Sequence, residues 1–524
     1  MSEKSVYSKI FKNSFFNLMG RFYFILFAFL FTPYLVDKIG VVDYGIYALL
    51  AALNSYMALV GLQALCAFIT KMVPEFNKNN DETGLSKLYT IGLSLSILAF
   101  LLILALGYPI ANLLLQLFKI PADLTDKAFF VFAFGLGIIA VNLFFTLFTS
   151  FLLGLQRMDI TNGIMIGVSI IQVIFAVIAL EKGYGLKGVV VIEFAAMTLK
   201  AILMGCFTLT RLPDIKYKFS YFDKTLFKRM VKYNFFIYVA HISSFINFQL
   251  DNILLANFIN LPAVTNYQLG NKVCFAARSF PDSILNTILP ASAEVNVSHG
   301  REEVYKIYYN LSRWMAFLCL PLFIFLAITS LRIMGTWMGP GFDKSAGVLS
   351  ILSLGYMTNI MFGVASPIVH SLERPDLEAR QTSILALLNV ILSLTLIKYI
   401  GFWGAPLGTT LAMFVAATYF VFITHNYLKK QSSHYFRDVL LTRLGPALTA
   451  IIPVLVLEGW LFQFHTYPSR LTNFAILTLE GILYGLTYLG VMQLRNEWNQ
   501  KEKEQLKQLK QKYLKNNKSK PVNQ

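Results

Sequence analysis

Charge is what this sequence is short of. Only 14% of its 524 residues are Asp, Glu, Lys or Arg, while 56% are apolar; soluble globular domains carry about 25% charged residues. Cysteine is scarce too. Cys66, Cys206, Cys274 and Cys319 each lie inside an apolar run, which argues against both a disulfide framework and a CxxC metal site and leaves them as small core residues. No GxxxxGK[ST] loop, HExxH pair, His/Cys cluster or GxSxG elbow occurs, so no nucleotide motor, metal or other cofactor is implied. Acidic residues number 28 against 45 Lys and Arg, for a net charge of +17. Basic residues beside membrane spans account for that excess through topology and anionic lipid, and nucleic acid is not an expected partner.

What is abundant is apolar sequence in long runs. Bounded by polar or Gly/Pro breaks, they give fourteen candidate spans at 14–36, 44–70, 88–118, 127–153, 161–180, 188–210, 234–258, 263–289, 310–335, 346–370, 380–400, 402–425, 443–463 and 471–493. Roughly 20 apolar residues cross about 30 Å of hydrocarbon as a helix. The first run is too long for a signal-peptide core and has no convincing cleavage site, so it is expected as an uncleaved first span. With the N-terminus in the cytoplasm, and residues within three positions of a span end counted with the adjoining side, 32 of the Lys and Arg residues fall inside, 9 outside, and Arg21, Lys200, Lys272 and Arg278 deep within spans. That bias supports an even span count with both termini cytoplasmic. The outer loops are all short, which counts against a glycosyltransferase or glycan polymerase acting at the outer face.

An internal repeat divides the spans. Leu155-Gln156-Arg157-Met158-Asp159 follows span four and Leu372-Glu373-Arg374-Pro375-Asp376 follows span ten; Gly185-Leu186-Lys187-Gly188 precedes span six and Gly401-Phe402-Trp403-Gly404 precedes span twelve. Six spans is an even number, so the halves share one orientation and are related by an axis along the membrane normal. The expected organisation is all-α: a six-helix bundle at 1–210, a basic cytoplasmic linker at 211–233, a second six-helix bundle at 234–428, two further spans at 429–493 and a basic cytoplasmic tail at 494–524. A central cavity between the two bundles suits a transporter.

Polar groups within the spans are the candidate functional residues, because a charge at the bilayer centre costs about 2.5 to 3.5 kcal/mol on insertion scales. In span seven, His241, Ser244, Asp251 and Asn252 share one side, opposite Val239, Ile242, Ile246 and Leu250, with Asn247 and Gln249 nearby. Such a helix reads as cavity-lining. Asp251 is placed to exchange a proton as a cavity opens and closes; the alternative is a structural aspartate bonded to neighbouring helices. In span eight, Asn271, Arg278 and Asp282 form a stripe, and Arg278 with Asp282 at i, i+4 could equally be a structural pair; Lys272 has no local partner at helical spacing. Glu193 and Lys200 share a face of span six, and Glu458 and Glu480 mark the last two spans. Span one holds Asn17, Arg21 and Thr32 on one side.

These residues occur among motifs that resemble a known family. Phe31-Thr-Pro-Tyr-Leu-Val-Asp-Lys-Ile-Gly-Val-Val-Asp-Tyr-Gly-Ile-Tyr47, Leu153-Leu-Gly-Leu-Gln-Arg-Met-Asp159 and Gln249-Leu-Asp-Asn-Ile-Leu-Leu255, with Tyr267 beyond, resemble the Wzx-type polysaccharide flippases of the multidrug/oligosaccharidyl-lipid/polysaccharide exporter superfamily. The resemblance implies two six-helix bundles alternately open to each side. It implies a non-enzymatic activity, the transfer of undecaprenyl-pyrophosphate-linked oligosaccharide across the bacterial cytoplasmic membrane, driven by an ion gradient. The lipid-linked glycan, membrane lipids and other polysaccharide-assembly proteins are the implied partners. Arg21, Lys272 and Arg278 would neutralise the pyrophosphate with Asn247 beside them, and Asp251, Glu193 and His241 would serve ion coupling. A lipid II flippase and a drug or cation antiporter of the same superfamily are the nearest alternatives.

Overall fold

The computed structural model describes residues 29–50, 62–462 and 469–497; within these ranges the side chains of 62–67, 234–248, 286–291, 293–299 and 460–462 are outside the description. Every described element is helical, and no strand occurs among the described residues. The helices, in chain order, are α1 (29–50), α2 (Leu62–Lys78), α3 (Glu82–Leu117), α4 (Thr125–Gly154), α5 (Met158–Glu181), α6 (Gly185–Arg211), α7 (Lys224–Phe258), α8 (Leu261–His299), α9 (Arg301–Ile328), α10 (Ser330–Trp337), α11 (Asp343–Phe362), α12 (Ala365–Ser371), α13 (Pro375–Ile400), α14 (Gly404–Leu428), α15 (Ser432–Tyr435), α16 (Thr442–Thr449), α17 (Ile451–Phe462) and α18 (Arg470–Leu494). Among the described residues, 9 helical stretches are long and apolar enough to cross a membrane, and one of them, Pro375–Leu428, contains both α13 and α14. The chain is a multi-pass membrane protein. Spans three to fourteen of the sequence reading all coincide with helix, whereas most of span one and the middle of span two lie outside the described residues.

Large apolar side chains point outward along these helices, among them Leu98, Leu101 and Leu102 of α3 and Ile170, Ile174 and Phe175 of α5. Water would penalise such surface and lipid does not. Of the cysteines, Cys274 and Cys319 are buried as the sequence suggested, but Cys206 is exposed on α6.

By its contacts the chain forms two units, one comprising Met1–Leu269 with Thr382–Ala412 and the other Gly270–Gln381 with Met413–Gln524. In the first unit, α2, α3 and α4 enclose a core of Phe68, Met72, Val73, Leu88, Leu147 and Phe151. The 211–233 segment joins this core through Leu212, Ile215 and Met230. It is therefore a docked strap rather than a loose tether. Asp223 fixes its far end: the carboxylate accepts from Thr225 N (2.8 Å) and Leu226 N (3.0 Å), capping α7, and takes Lys87 Nζ at 2.9 Å. The Leu226 amide, then Lys87, holds this carboxyl below its usual range. At 35 residues, α7 is about 52 Å long, well beyond the hydrocarbon thickness, so its basic first turns project from the membrane.

The repeat is visible in backbone detail. Gln156 and Glu373 take positive φ, 57° and 58°, and each is followed by an amide that reaches back past the helix end: Arg157 N to Leu152 O at 2.9 Å and Arg374 N to Val369 O at 2.8 Å. Each arginine then pairs with the aspartate two residues on. The second motif agrees, with Gly185 at φ 54° and Gly401 at φ 62°, a conformation that other residues enter at a cost.

Candidate functional site

Asp251 sits at the centre of a polar cluster contributed by α7, α8, α13 and α14, all within the first unit. It is 2% exposed. Its Oδ2 accepts from the hydroxyls of Tyr267 on α8 and Thr409 on α14, and Ser393 Oγ on α13 lies 3.0 Å from Oδ1. Thr409 Oγ1 in turn accepts from Asn389 Nδ2 at 3.2 Å, and Asn389 Oδ1 is 3.3 Å from Ser393 Oγ. Ser393 has one proton and so serves one of its two acceptors at a time. All the groups bonded to Asp251 in these contacts are uncharged. The polar side of this helix, read as cavity-lining, is closed at this level by hydroxyls from its own unit. On the next residue, Asn252 is fully buried, gives Nδ2 to Gln249 Oε1 at 3.0 Å and leaves Oδ1 without a hydrogen-bond partner among the described residues.

Glycine spacing brings the hydroxyls together. A Cβ on Gly404 would stand 2.2 Å from Ile397 N, and one on Gly408 would stand 2.6 Å from Ser393 N. The small-xxx-small stripe therefore lets α14 lie against the backbone of α13, as in close-packed membrane helix pairs. Thr409, next to Gly408, is carried to the carboxylate by that approach. Nothing in the spacing of charged residues indicated Asn389, Ser393 or Thr409. The signal available was Asn389 and Ser393 at i, i+4 in an apolar run, followed by Gly404 and Gly408 at the same interval.

Glu193 forms a separate group in the same unit. It is half-buried on α6, within hydrogen-bonding reach of Tyr47 on α1, and its Oε2 has no hydrogen-bond partner among the described residues. Lys200, two turns along α6, bonds Gln172 Oε1 at 3.3 Å. Tyr47 ends the first family-like motif, which is otherwise structural: Asp43 pairs with Lys127 at 2.9 Å, Val41 O accepts from Thr265, and Tyr44 is buried.

In the second unit, Arg278 Nε donates to Asp282 Oδ2 at 2.8 Å, and its guanidinium lies 5.6 Å from the Tyr356 ring centroid. The i, i+4 pair allowed by the spacing is thus formed. Tyr356 Oη bonds Asn271 Oδ1 at 2.9 Å, and Lys272 is half-buried on the same helix. Arg21 lies outside the described residues; His241 and Asn247 are on α7, but their side chains are outside the description. Among the described residues no group of three or more His, Cys, Asp or Glu is placed to hold a metal ion.

Comparison with known proteins agrees with this architecture. The chain is 24% identical over 259 residues to the probable low-salt glycan biosynthesis flippase Agl15 of Haloferax volcanii, covering 49% of this chain and 52% of the relative. It thus spans about half the length of that relative. It is 24% identical over 376 residues to a putative O-antigen transporter of Shigella flexneri, covering 71% of this chain and 87% of the relative. Its fold is that of the lipid II flippase MurJ in an inward closed conformation, with a TM-score of 0.66 at 18% identity over 92% of this chain and 100% of the other. A family model described as polysaccharide biosynthesis protein matches residues 10–296, and the chain belongs to that family.

Proposed function

We propose that this chain is a flippase that moves an undecaprenyl-pyrophosphate-linked oligosaccharide, an O-antigen or capsule/exopolysaccharide repeat unit, across the bacterial cytoplasmic membrane by alternating access. The observation that supports it most directly is the Asp251 cluster: in a membrane protein of the polysaccharide biosynthesis family, a carboxylate is enclosed by neutral oxygens from three other helices. A group of that kind can gain and lose a small cation as its surroundings open, and so tie conformation to an ion gradient. Transport of this type needs no catalysis. The glycan head is too polar for hydrocarbon, while the polyprenyl tail stays in lipid.

In this reading Arg21, Lys272 and Arg278, with Asn247, bind the pyrophosphate, whose charge relieves the cost of cations within the spans; Asp251, with Glu193 and His241 as further candidates, couples transport to the gradient. The six-helix halves at 1–210 and 234–428 provide the alternating units. Flipping is tested in proteoliposomes, following the loss of labelled undecaprenyl-pyrophosphate oligosaccharide from the leaflet reached by an added glycosidase. Lys272→Gln and Arg278→Gln are each expected to slow the wild-type rate at least tenfold, the loss of about 1.4 kcal/mol. Equal rates in both variants would place the phosphate site elsewhere and leave Arg278 as the partner of Asp282. Transport of lipid II alone would make the chain a peptidoglycan-precursor flippase, and export of a cationic drug without glycan would make it an antiporter.

Both termini are proposed to be cytoplasmic, on the strength of the basic inner loops. Reporters fused after Gln524 and within 211–232 should read cytoplasm, and one at 339–343 should read the opposite side. A C-terminus outside would break the even span count and with it the two-bundle organisation.

A further inference from the structure

Away from the Asp251 cluster, the second unit holds a buried ionic group that the sequence reading left unassigned. Arg332 on α10 gives Nε to Glu458 Oε1 of α17 at 2.7 Å and Nη2 to Oε2 of the same carboxylate, and its Nη1 bonds Asn473 Oδ1 of α18 at 3.2 Å. The same Nε is 3.0 Å from Oε1 of Glu480, also on α18. Glu480 is fully buried, with neither carboxylate oxygen in a hydrogen bond of good geometry, while the Glu458 side chain is 34% exposed. The Nε–H and one N–H each of Nη2 and Nη1 go to Glu458 and Asn473, and neither oxygen of Glu480 has a hydrogen-bond partner among the described residues.

The charges do not balance. One guanidinium faces two carboxylates that lie within hydrogen-bonding reach of each other. The neighbouring elements supply no second cation among the described residues: α9 presents Phe325 beside Gly481, Arg470 is turned to Met338 O at 2.9 Å, and Tyr484 gives its hydroxyl to Ala447 O on α16. An uncompensated buried carboxylate costs several kcal/mol, and two carboxyls at hydrogen-bonding distance relieve that cost by sharing a proton. A proton supplies both the missing charge and the missing donor.

We propose that Arg332, Glu458 and Glu480 form a proton-binding site, in which one proton is held between the two carboxyls and enters through the partly exposed Glu458. Proton binding completes the contact that fastens α17 and α18 to α10. On the orientation proposed above, this end of the unit faces away from the cytoplasm, toward the side from which protons enter down their gradient; the site itself does not depend on that orientation or on the transported substrate.

Infrared spectroscopy of the purified full-length protein tests it. The wild type at neutral pH should show a protonated carboxylic-acid carbonyl band that shifts when the glutamates carry ¹³C carboxyl carbons and disappears as the pH is raised. Glu480→Gln and Glu458→Gln should each remove that band, and Asp251→Asn should leave it. The labelled wild type alone decides the first point even if one variant does not fold. No glutamate band in the wild type, a band that survives in both Gln variants, or a band present only when sodium is withheld would each overturn the proposal, the last by showing that a sodium ion is the ligand.

Discussion

On the proposed function, Asp251→Asn is expected to abolish gradient-driven accumulation while leaving passive exchange of the lipid-linked glycan and the folded state intact. Asparagine keeps the shape of the side chain, and its carbonyl can still accept from Ser393 or from the Tyr267 and Thr409 hydroxyls. What it loses is the ability to change charge. A pH difference of one unit is worth about 1.36 kcal/mol per proton, so a coupled wild-type protein in liposomes should accumulate substrate up to roughly tenfold per proton, and the variant should show a ratio near one. Asp251→Ala should behave differently, because it strands three buried hydroxyls at a cost of about 1 to 3 kcal/mol for each that finds no new partner; reduced thermal stability is expected there and not in Asp251→Asn. If Asp251→Asn responds to imposed proton and sodium gradients as the wild type does, the coupling group is not Asp251, and Glu193 with Tyr47 is the next to test.

The sequence made Asp251 conspicuous because an acid in an apolar run has few uses. It could not reveal what surrounds that acid. Ser393 and Thr409 come from helices more than 140 residues away, and a lone serine or threonine in a span is unremarkable until the glycine stripe of α14 shows which helix it lies against. Local patterns fared better: the Arg278–Asp282 pair and the two repeated loops depend on neighbours within a few residues, and the structure forms all of them. Arg332 shows the limit most clearly. Counted in the sequence only among the nine charges outside, it is also the shared partner of Glu458 and Glu480, 126 and 148 residues further along the chain. Charge counting assigns residues to sides of a membrane but does not pair them.

Gly408→Leu should damage the stability of the first unit and transport coupling together. Even the Cβ of alanine at this position would stand 2.6 Å from Ser393 N and 2.7 Å from both Ser393 Cα and Oγ. Two of those three atoms are backbone and cannot swing aside, so α14 must move away from α13 or α13 must distort. Overpacking of this kind costs about 1 to 3 kcal/mol and occasionally more, and a leucine has no rotamer that avoids the first carbon. Because Thr409 is the next residue, the displacement also withdraws a hydroxyl from Asp251, so transport coupling and stability should fall together. Gly408→Ala is expected to show the same effect in milder form, its strain partly offset by the gain in helix propensity, about 1 kcal/mol. Gly490 on α18 is the control, since a Cβ there meets nothing within 4 Å, and Gly490→Ala should melt at or slightly above the wild-type temperature. Thermal unfolding of the three variants in one detergent, with gradient-driven transport measured in parallel, decides the matter: a Gly408→Leu protein that melts and transports like the wild type would mean that α13 and α14 do not approach as closely as the Asp251 cluster requires.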